Sequence, residues 1–301
     1  MKTIVQLVAA LGLASVALPS AAALNIFACE PEWGALAQEL AGDKASIYSA
    51  TTALQDPHRI EARPSLIARV RSADILVCTG AELEIGWLPL LLTQSGNNRI
   101  QLGAPGYFEA SQYAAMIEIP KTMDRSLGDI HASGNPHIHL DPRNIARVAD
   151  ALTDRLVRLD AANADAYKAR ANSFRERWRA ALTRWEQQAA RLKGVPVVVY
   201  HKDMSYFLSW AGMREAGSLE PKPGLPATPA HLAELVDQMK REPAKVVVYS
   251  AYNSPRAAEF LSERAKIPSL MLPYTVGGTD KAKDLFGLFD DTIARLLATV
   301  K

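Results

Sequence analysis

Short apolar runs along the chain alternate with longer segments in which apolar residues recur at helical spacing. The runs Asn25 to Cys29, Ala45 to Tyr48 and Asp74 to Cys78 predict buried parallel strands. Glu32 to Ala41 and Pro64 to Ser72 predict helices, because proline marks their first turns and Gly42 follows the first of them. Alternation of strand and helix indicates a parallel sheet covered on both faces.

The pattern continues through a predicted helix at Leu83 to Leu92 and a fourth strand at Arg99 to Leu102. From Asn144 to Ala189, apolar residues then keep helical spacing without any proline or glycine. With a break at Asp160 to Asp165, this predicts one long helix from Ala164 to Leu192, about 40 Å in length. After Gly194 the strand and helix pattern resumes in these segments: Pro196 to Tyr200, Ser205 to Ala211, Pro229 to Glu242, Lys245 to Ser250, Pro255 to Ala265, Ser269 to Leu272 and Lys281 to Val300.

We therefore expect an α/β protein of two lobes, each with a mainly parallel sheet, joined by one rigid helix. The expected divisions are an N-terminal lobe at residues 24–160, a linking helix at 161–194 and a C-terminal lobe at 195–301. Residues 1–23 read as a removable export signal: Lys2 precedes an apolar run too short to span a membrane, and Ala21-Ala22-Ala23 gives a peptidase site. The mature chain should be soluble and periplasmic.

Composition narrows the classes of function. The chain has 301 residues, of which 49% are hydrophobic and 22% charged, and a formal net charge of +2. So small a basic excess argues against nucleic acid as a partner, because phosphate binding needs clustered Lys and Arg. Cys29 and Cys78 end two predicted strands, where either a disulfide or two buried thiols is compatible with the pattern. Neither cysteine has metal-binding spacing, so neither is assigned to a site.

Four side chains with metal-binding chemistry follow predicted strands or lie in turns marked by Pro or Gly. They are His58, His137, His201 and Asp280. Open α/β sheets bind ligands at the carboxyl edge, so these distant loops are expected to converge on one site between the lobes. Three imidazoles and a carboxylate suit a tetrahedral zinc ion.

Several motifs resemble the periplasmic receptors for zinc and manganese that serve ABC importers (the cluster A-I solute-binding proteins). These are Asp56-Pro57-His58, Asn135-Pro136-His137 with Leu140-Asp141-Pro142, His201 with Tyr206-Phe207, and Glu220-Pro221 with Pro223. The resemblance covers nearly the whole mature chain. It implies a metal held between two lobes by His58, His137, His201 and an acid near the C-terminus, and delivery of that metal to a membrane permease. A metallochaperone is a second candidate partner, and a monomer is expected.

Two features depart from that family pattern. His139 stands where such receptors often have Trp, and His131 precedes the second motif. The C-terminal acid follows Gly277-Gly278 instead of opening a short turn, so Glu220 and Asp203 are alternatives to Asp280 as the fourth ligand. Manganese receptors of the family tend to use two carboxylates, whereas three imidazoles favour zinc.

Two other functions compete with a metal carrier. A secreted zinc hydrolase would use three protein ligands, a bound water and a general base such as Glu220. Against an enzyme, the chain has no H-E-x-x-H motif and offers a fourth protein ligand. Surface adhesion through a metal-stabilised module also fits the sequence.

Overall fold

The computed structural model describes residues 23–122 and 128–300. All but the last residue of the predicted export signal therefore lies outside the described residues. Within those residues, no helix combines the length and the apolar character needed to cross a membrane.

The first lobe is built on four parallel strands in the order β2-β1-β3-β4. The sheet order reverses between β1 and β3, which makes this pair the switch point of the lobe. The elements are β1 (Leu24–Ala28), α1 (Pro31–Ala41), β2 (Ala45–Ser49), α2 (Pro64–Ser72), β3 (Ile75–Cys78), α3 (Leu88–Ser95) and β4 (Tyr107–Glu109).

Two helices follow the first sheet. α4 (Pro142–Leu159) starts at a proline, and Asp141 caps it by accepting a hydrogen bond from the Arg143 amide at 2.8 Å. α5 (Ala164–Ala189) is the predicted long helix, and it ends in a 3₁₀ turn at Ala190–Leu192.

The second lobe repeats the topology of the first. Its four strands are parallel in the order β6-β5-β7-β8, so its switch point lies between β5 and β7. The elements are β5 (Pro196–Val199), α6 (Ser205–Ala211), β6 (Arg214–Ser218), α7 (Pro229–Arg241), β7 (Val246–Ser250), α8 (Arg256–Ala265), β8 (Ser269–Leu272) and α9 (Leu285–Thr299).

One apolar core runs through both lobes by way of α5. This helix packs against α1 of the first lobe and α9 of the second. Trp178 and Trp185 on α5 lie edge to face at 5.0 Å and contact Phe286 and Phe289 on α9. The prediction of two α/β lobes joined by a long rigid helix is confirmed.

Within the sheets, one predicted strand is wrong and one observed strand was not predicted. Arg99 to Leu102 contains a 3₁₀ turn at Asn98–Ile100, and the fourth strand lies later, at Tyr107–Glu109. Ile100 is buried as a strand residue would be, because it fills the core under α2 and α3. The strand β6 was missed, since its sequence at an edge position is polar and contains Gly217.

Cys29 and Cys78 form a disulfide across the first switch point. Their Cα atoms are 4.8 Å apart, because β1 and β3 pair in parallel with Ala28 opposite Val77. The disulfide alternative of the sequence analysis is the one observed.

We predict that Trp178→Ala lowers the free energy of unfolding by about 3–5 kcal/mol, because it opens a cavity where α5 joins the lobes. Trp178 is 2% exposed and its indole donates to the Pro142 carbonyl at 2.8 Å. Urea unfolding of the metal-free protein measures the effect. The exposed Arg179 on the same helix is the control, and Arg179→Ala is expected to change stability by less than about 0.5 kcal/mol. Equal effects for both variants would contradict the assigned role of α5.

Candidate metal centre

The three histidines all lie in loops at the carboxyl edges of the two sheets. His58 lies between β2 and α2, His137 precedes α4, and His201 follows β5 by two residues. Two of them are set by the same local turn: the Asp56 side chain accepts from the His58 amide at 3.0 Å, and the Asn135 side chain accepts from the His137 amide at 2.9 Å. In both turns the intervening residue is proline, which cannot donate a backbone hydrogen bond.

The loops bring the three imidazoles together. Their ring centroids are 5.2, 5.3 and 5.6 Å apart, and one ring nitrogen from each lies within 4.8 Å of the others. Nε2 of His137 and Nε2 of His201 are 3.3 Å apart. Two nitrogens bound at about 2.0–2.1 Å to one tetrahedral zinc are also separated by about 3.3 Å. His137 and His201 are thus spaced to share one ion, and His58 lies close enough to be a third ligand.

Each histidine has its other ring nitrogen, Nδ1, engaged by an oxygen. Asp56 lies 2.9 Å from Nδ1 of His58, the Tyr274 hydroxyl 2.8 Å from Nδ1 of His137, and Glu220 2.7 Å from Nδ1 of His201. These acceptors favour hydrogen on Nδ1, which leaves Nε2 of all three rings with a free lone pair. Nε2 of His58 is buried and has no hydrogen-bond partner. A buried nitrogen without a partner is costly unless a ligand uses it.

The pKa values of the ionisable groups in the site are shifted in different directions. Burial and the neighbouring imidazoles hold the pKa of His137 well below its ordinary value, so this ring stays neutral. Burial lowers the pKa of His201, but the Glu220 hydrogen bond and the charge of Asp203 offset it, and the net pKa is raised. The pKa of Asp56 is lowered, because its interactions with His58 outweigh burial.

A second group of donors borders the triad. His131 and Asp129 lie with His58 so that one donor atom from each is within 4.8 Å of the others. Burial lowers the pKa of His131 to about 4, with a contribution from His58. Asp129 lines both surface clefts that reach the triad.

The fourth predicted ligand, Asp280, is not brought to the histidines in this structure. Its side chain is exposed, and it belongs to none of the donor groups found among the described residues. The two alternatives are engaged elsewhere. Glu220 holds His201 and accepts from the Gly224 amide at 2.8 Å, and Asp203 accepts from Ser250 and Tyr252.

Sequence analysis missed the residue that orients His137. Asp141, although close to His137 in sequence, does not orient it, since its side chain caps α4 and binds Arg143. Nδ1 of His201 is held by Glu220, and the nearby Tyr206 donates to the Asn135 carbonyl. Tyr274 follows β8 and is far from His137 in sequence, so no local sequence pattern indicated that the two residues are in contact.

Comparison with known proteins places this chain in a family. The family model for "Zinc-uptake complex component A periplasmic" (ZnuA) matches residues 26–299. The chain belongs to the ZnuA family. The resemblance seen in the sequence motifs is thereby confirmed.

Individual relatives of the ZnuA family are distant in sequence. The high-affinity zinc uptake protein ZnuA of Paracoccus denitrificans is 23% identical over 296 residues, 87% of each chain. The manganese-binding lipoprotein PsaA of Streptococcus pneumoniae is 22% identical over 242 residues, which cover 77% of this chain and 74% of PsaA. A crystal structure of ZnuA superposes with a TM-score of 0.77 at 19% identity, covering 93% of this chain and all of that one.

Membership in the ZnuA family fixes the broad function. The chain is a metal-binding, substrate-binding component of an ABC importer, and relatives such as PsaA are named as parts of such importers, which implies a membrane permease as the partner. Family members are not enzymes, so the expectation of a carrier over a hydrolase is confirmed.

We predict that metal affinity falls as the pH decreases through the raised pKa of His201, because the protonated ring must lose its proton to bind a metal. Glu220→Gln should lower that pKa and move the fall to lower pH. Competition titration with zinc from pH 8 to 5 measures both curves. Glu215→Gln is the control, since Glu215 binds Lys202 and no histidine. A flat profile in the unchanged protein, or identical profiles for Glu220→Gln and the unchanged protein, would contradict this assignment.

Proposed function

We propose that this protein captures zinc in the periplasm and delivers it to an ABC permease. His58, His137 and His201 are the proposed ligands, with Asp280 as the fourth. The observation that carries the proposal is the convergence of three imidazoles whose Nδ1 atoms are each already hydrogen-bonded. Such outer acceptors are the usual accompaniment of metal-bound histidine.

Donor chemistry supports zinc as the cargo. Imidazole nitrogens suit zinc, whereas manganese prefers sites rich in carboxylate oxygen. The names of relatives do not decide between the ions, because PsaA is named for manganese and ZnuA for zinc. Manganese is therefore the alternative cargo, and it would require carboxylates such as Asp280 to take a larger part in the site.

The division of ligands between the lobes supports a role in capture and release. His58 and His137 come from the first lobe and His201 from the second, so an ion bound by all three ties the lobes together. Because α5 shares one core with both lobes, wide opening is disfavoured. Release would then depend on small movements of the loops that carry the ligands.

The proposed mature protein comprises lobes at residues 24–160 and 195–301 joined by the helix at 161–194. Export by the predicted signal would place it in the periplasm, beside the permease. A metallochaperone that loads the ion would meet the clefts lined by Asp129, an exposed donor grouped with His58 and His131.

We predict that His58→Ala, His137→Ala and His201→Ala each weaken zinc binding by at least about 100-fold, since each removes one nitrogen of a shared site. Asp280→Ala is expected to weaken it by about 10-fold. Competition with a chromophoric chelator measures affinity, and metal analysis of the purified protein measures stoichiometry.

The control for the histidine variants is His231→Ala. His231 lies outside the triad, where its Nε2 bonds to the Ser218 carbonyl at 2.8 Å. Unchanged zinc affinity in any of the three histidine variants would contradict the assignment of that histidine as a ligand. Unchanged affinity in Asp280→Ala alone would move the fourth ligand elsewhere and leave the function standing.

We also predict that cells lacking this protein need added zinc, and not added manganese, to grow in chelator-treated medium. A plasmid carrying the unchanged gene or His231→Ala should restore growth, and one carrying His201→Ala should not. Rescue by manganese alone would show that the alternative cargo is correct. Normal growth of the deleted strain, together with binding to host matrix, would favour adhesion.

A further inference from the structure

Two ionisable side chains that are not proposed ligands are fully buried beside the triad. Glu32 on α1 and His139, two residues after His137, are each 0% exposed. Nδ1 of His139 lies 3.1 Å from a carboxylate oxygen of Glu32. Burying ionisable groups is costly unless they are paired, so this pair is expected to hold a specific part of the structure in place.

The pair reaches from the first lobe to the second. Nε2 of His139 lies 2.9 Å from the backbone carbonyl of Tyr274, and the Thr275 hydroxyl donates to Glu32 at 2.5 Å. Tyr274 and Thr275 are neighbours in the loop after β8. Two side chains of the first lobe thus fix two consecutive residues of the second.

The same segment contacts a proposed ligand. The Tyr274 hydroxyl lies 2.8 Å from Nδ1 of His137, and the two rings meet edge to face at 5.6 Å. The Tyr274 ring also meets His139 edge to face at 4.8 Å. Because Tyr274 is held through its carbonyl by His139, the position of its hydroxyl depends on the buried pair.

The hydrogen bond to the Tyr274 carbonyl determines which ring nitrogen of His139 carries a hydrogen. The Tyr274 carbonyl can only accept, so Nε2 of His139 carries a hydrogen. The remaining contact, between Nδ1 of His139 and Oε1 of Glu32 at 3.1 Å, is a close approach without hydrogen-bond geometry, and neither atom has a hydrogen-bond partner among the described residues. An amide at position 32 can donate to Nδ1 through its nitrogen and still accept from Thr275 through its oxygen.

We propose that Glu32 and His139 are positioning residues for metal binding, which hold Tyr274 across the lobe boundary so that its hydroxyl orients His137 towards the cation. This inference rests on the proposed function, since it assigns the triad to a divalent metal. The competing explanation is that the pair only stabilises the fold. Under the first explanation, changes at Glu32 and Tyr274 lower metal affinity through the same hydrogen bond to His137. Under the second, a change at Glu32 lowers stability without that effect on affinity.

A double-mutant cycle on the full mature protein separates them. Zinc affinity is measured by chelator competition for Glu32→Ala, Tyr274→Phe and the double variant, with the melting temperature of each metal-free protein recorded alongside. Each single variant is expected to bind zinc about 10-fold more weakly, as removal of a partner behind a metal-bound histidine does. The double variant is expected to lose about 10-fold as well, and not about 100-fold, because both changes release the same ring.

Rescue by a conservative substitution provides a second readout. Glu32→Gln keeps a side-chain oxygen that can accept from the Thr275 hydroxyl, and it is expected to bind zinc within about threefold of the unchanged protein. Tyr167→Phe is the control for loss of a buried tyrosine hydroxyl, since Tyr167 donates to Asp160 far from the triad in sequence, and it should leave affinity unchanged. If Glu32→Ala does not fold, Thr275→Val takes its place in the cycle, since it removes the Glu32 contact without a large cavity.

Two results would overturn the inference. One is a Glu32 or Thr275 variant with a lower melting temperature but unchanged zinc affinity. The other is a double variant whose loss equals the product of the single losses. Failure of the unchanged protein to bind zinc or manganese would overturn the proposed function instead, so the two failures are distinguishable.

Discussion

The account depends on one repeated interaction, a hydrogen bond from an imidazole Nδ1 to an oxygen acceptor. Asp56, Tyr274 and Glu220 each supply one such acceptor, and together they leave Nε2 of each of three converging histidines available to a metal. Without these acceptors, each ring could rotate or change tautomer. Nothing would then hold the Nε2 atoms of His137 and His201 at their separation of 3.3 Å. The surroundings of each ring also set its electrostatics, because the Glu220 hydrogen bond helps to raise the pKa of His201 against burial, while burial and the neighbouring imidazoles lower the pKa of His137.

The fold makes this convergence possible by repeating one topology twice. Both sheets are parallel and have equivalent strand orders, and the loops that leave their carboxyl edges face each other across the lobe boundary. The helix α5 fixes the relation of the two edges through a shared aromatic core. Side chains separated by more than a hundred residues, such as His137 and Tyr274, can therefore form contacts that depend on both lobes being in place.

Much of this could be predicted from the sequence, and the remainder has identifiable causes. The lobes, the long helix and the three histidines follow from local patterns: hydrophobic period, proline and glycine punctuation, and the Asx-Pro-His turns at His58 and His137. Tyr274 and Glu32 could not be found this way, because their roles arise only from contacts between lobes. The strand β6 was missed because an edge strand with polar residues has no apolar run. Asp280 as a ligand stays a prediction, since in this structure its side chain is exposed.

The most direct test is a crystal structure of the zinc-loaded protein with anomalous diffraction at the zinc edge. We expect one zinc ion within about 2.0–2.1 Å of Nε2 of His58, His137 and His201, with each Nδ1 still bonded to Asp56, Tyr274 and Glu220. Zinc bound away from the triad, or coordination through Nδ1 of any of the three rings, would contradict the account.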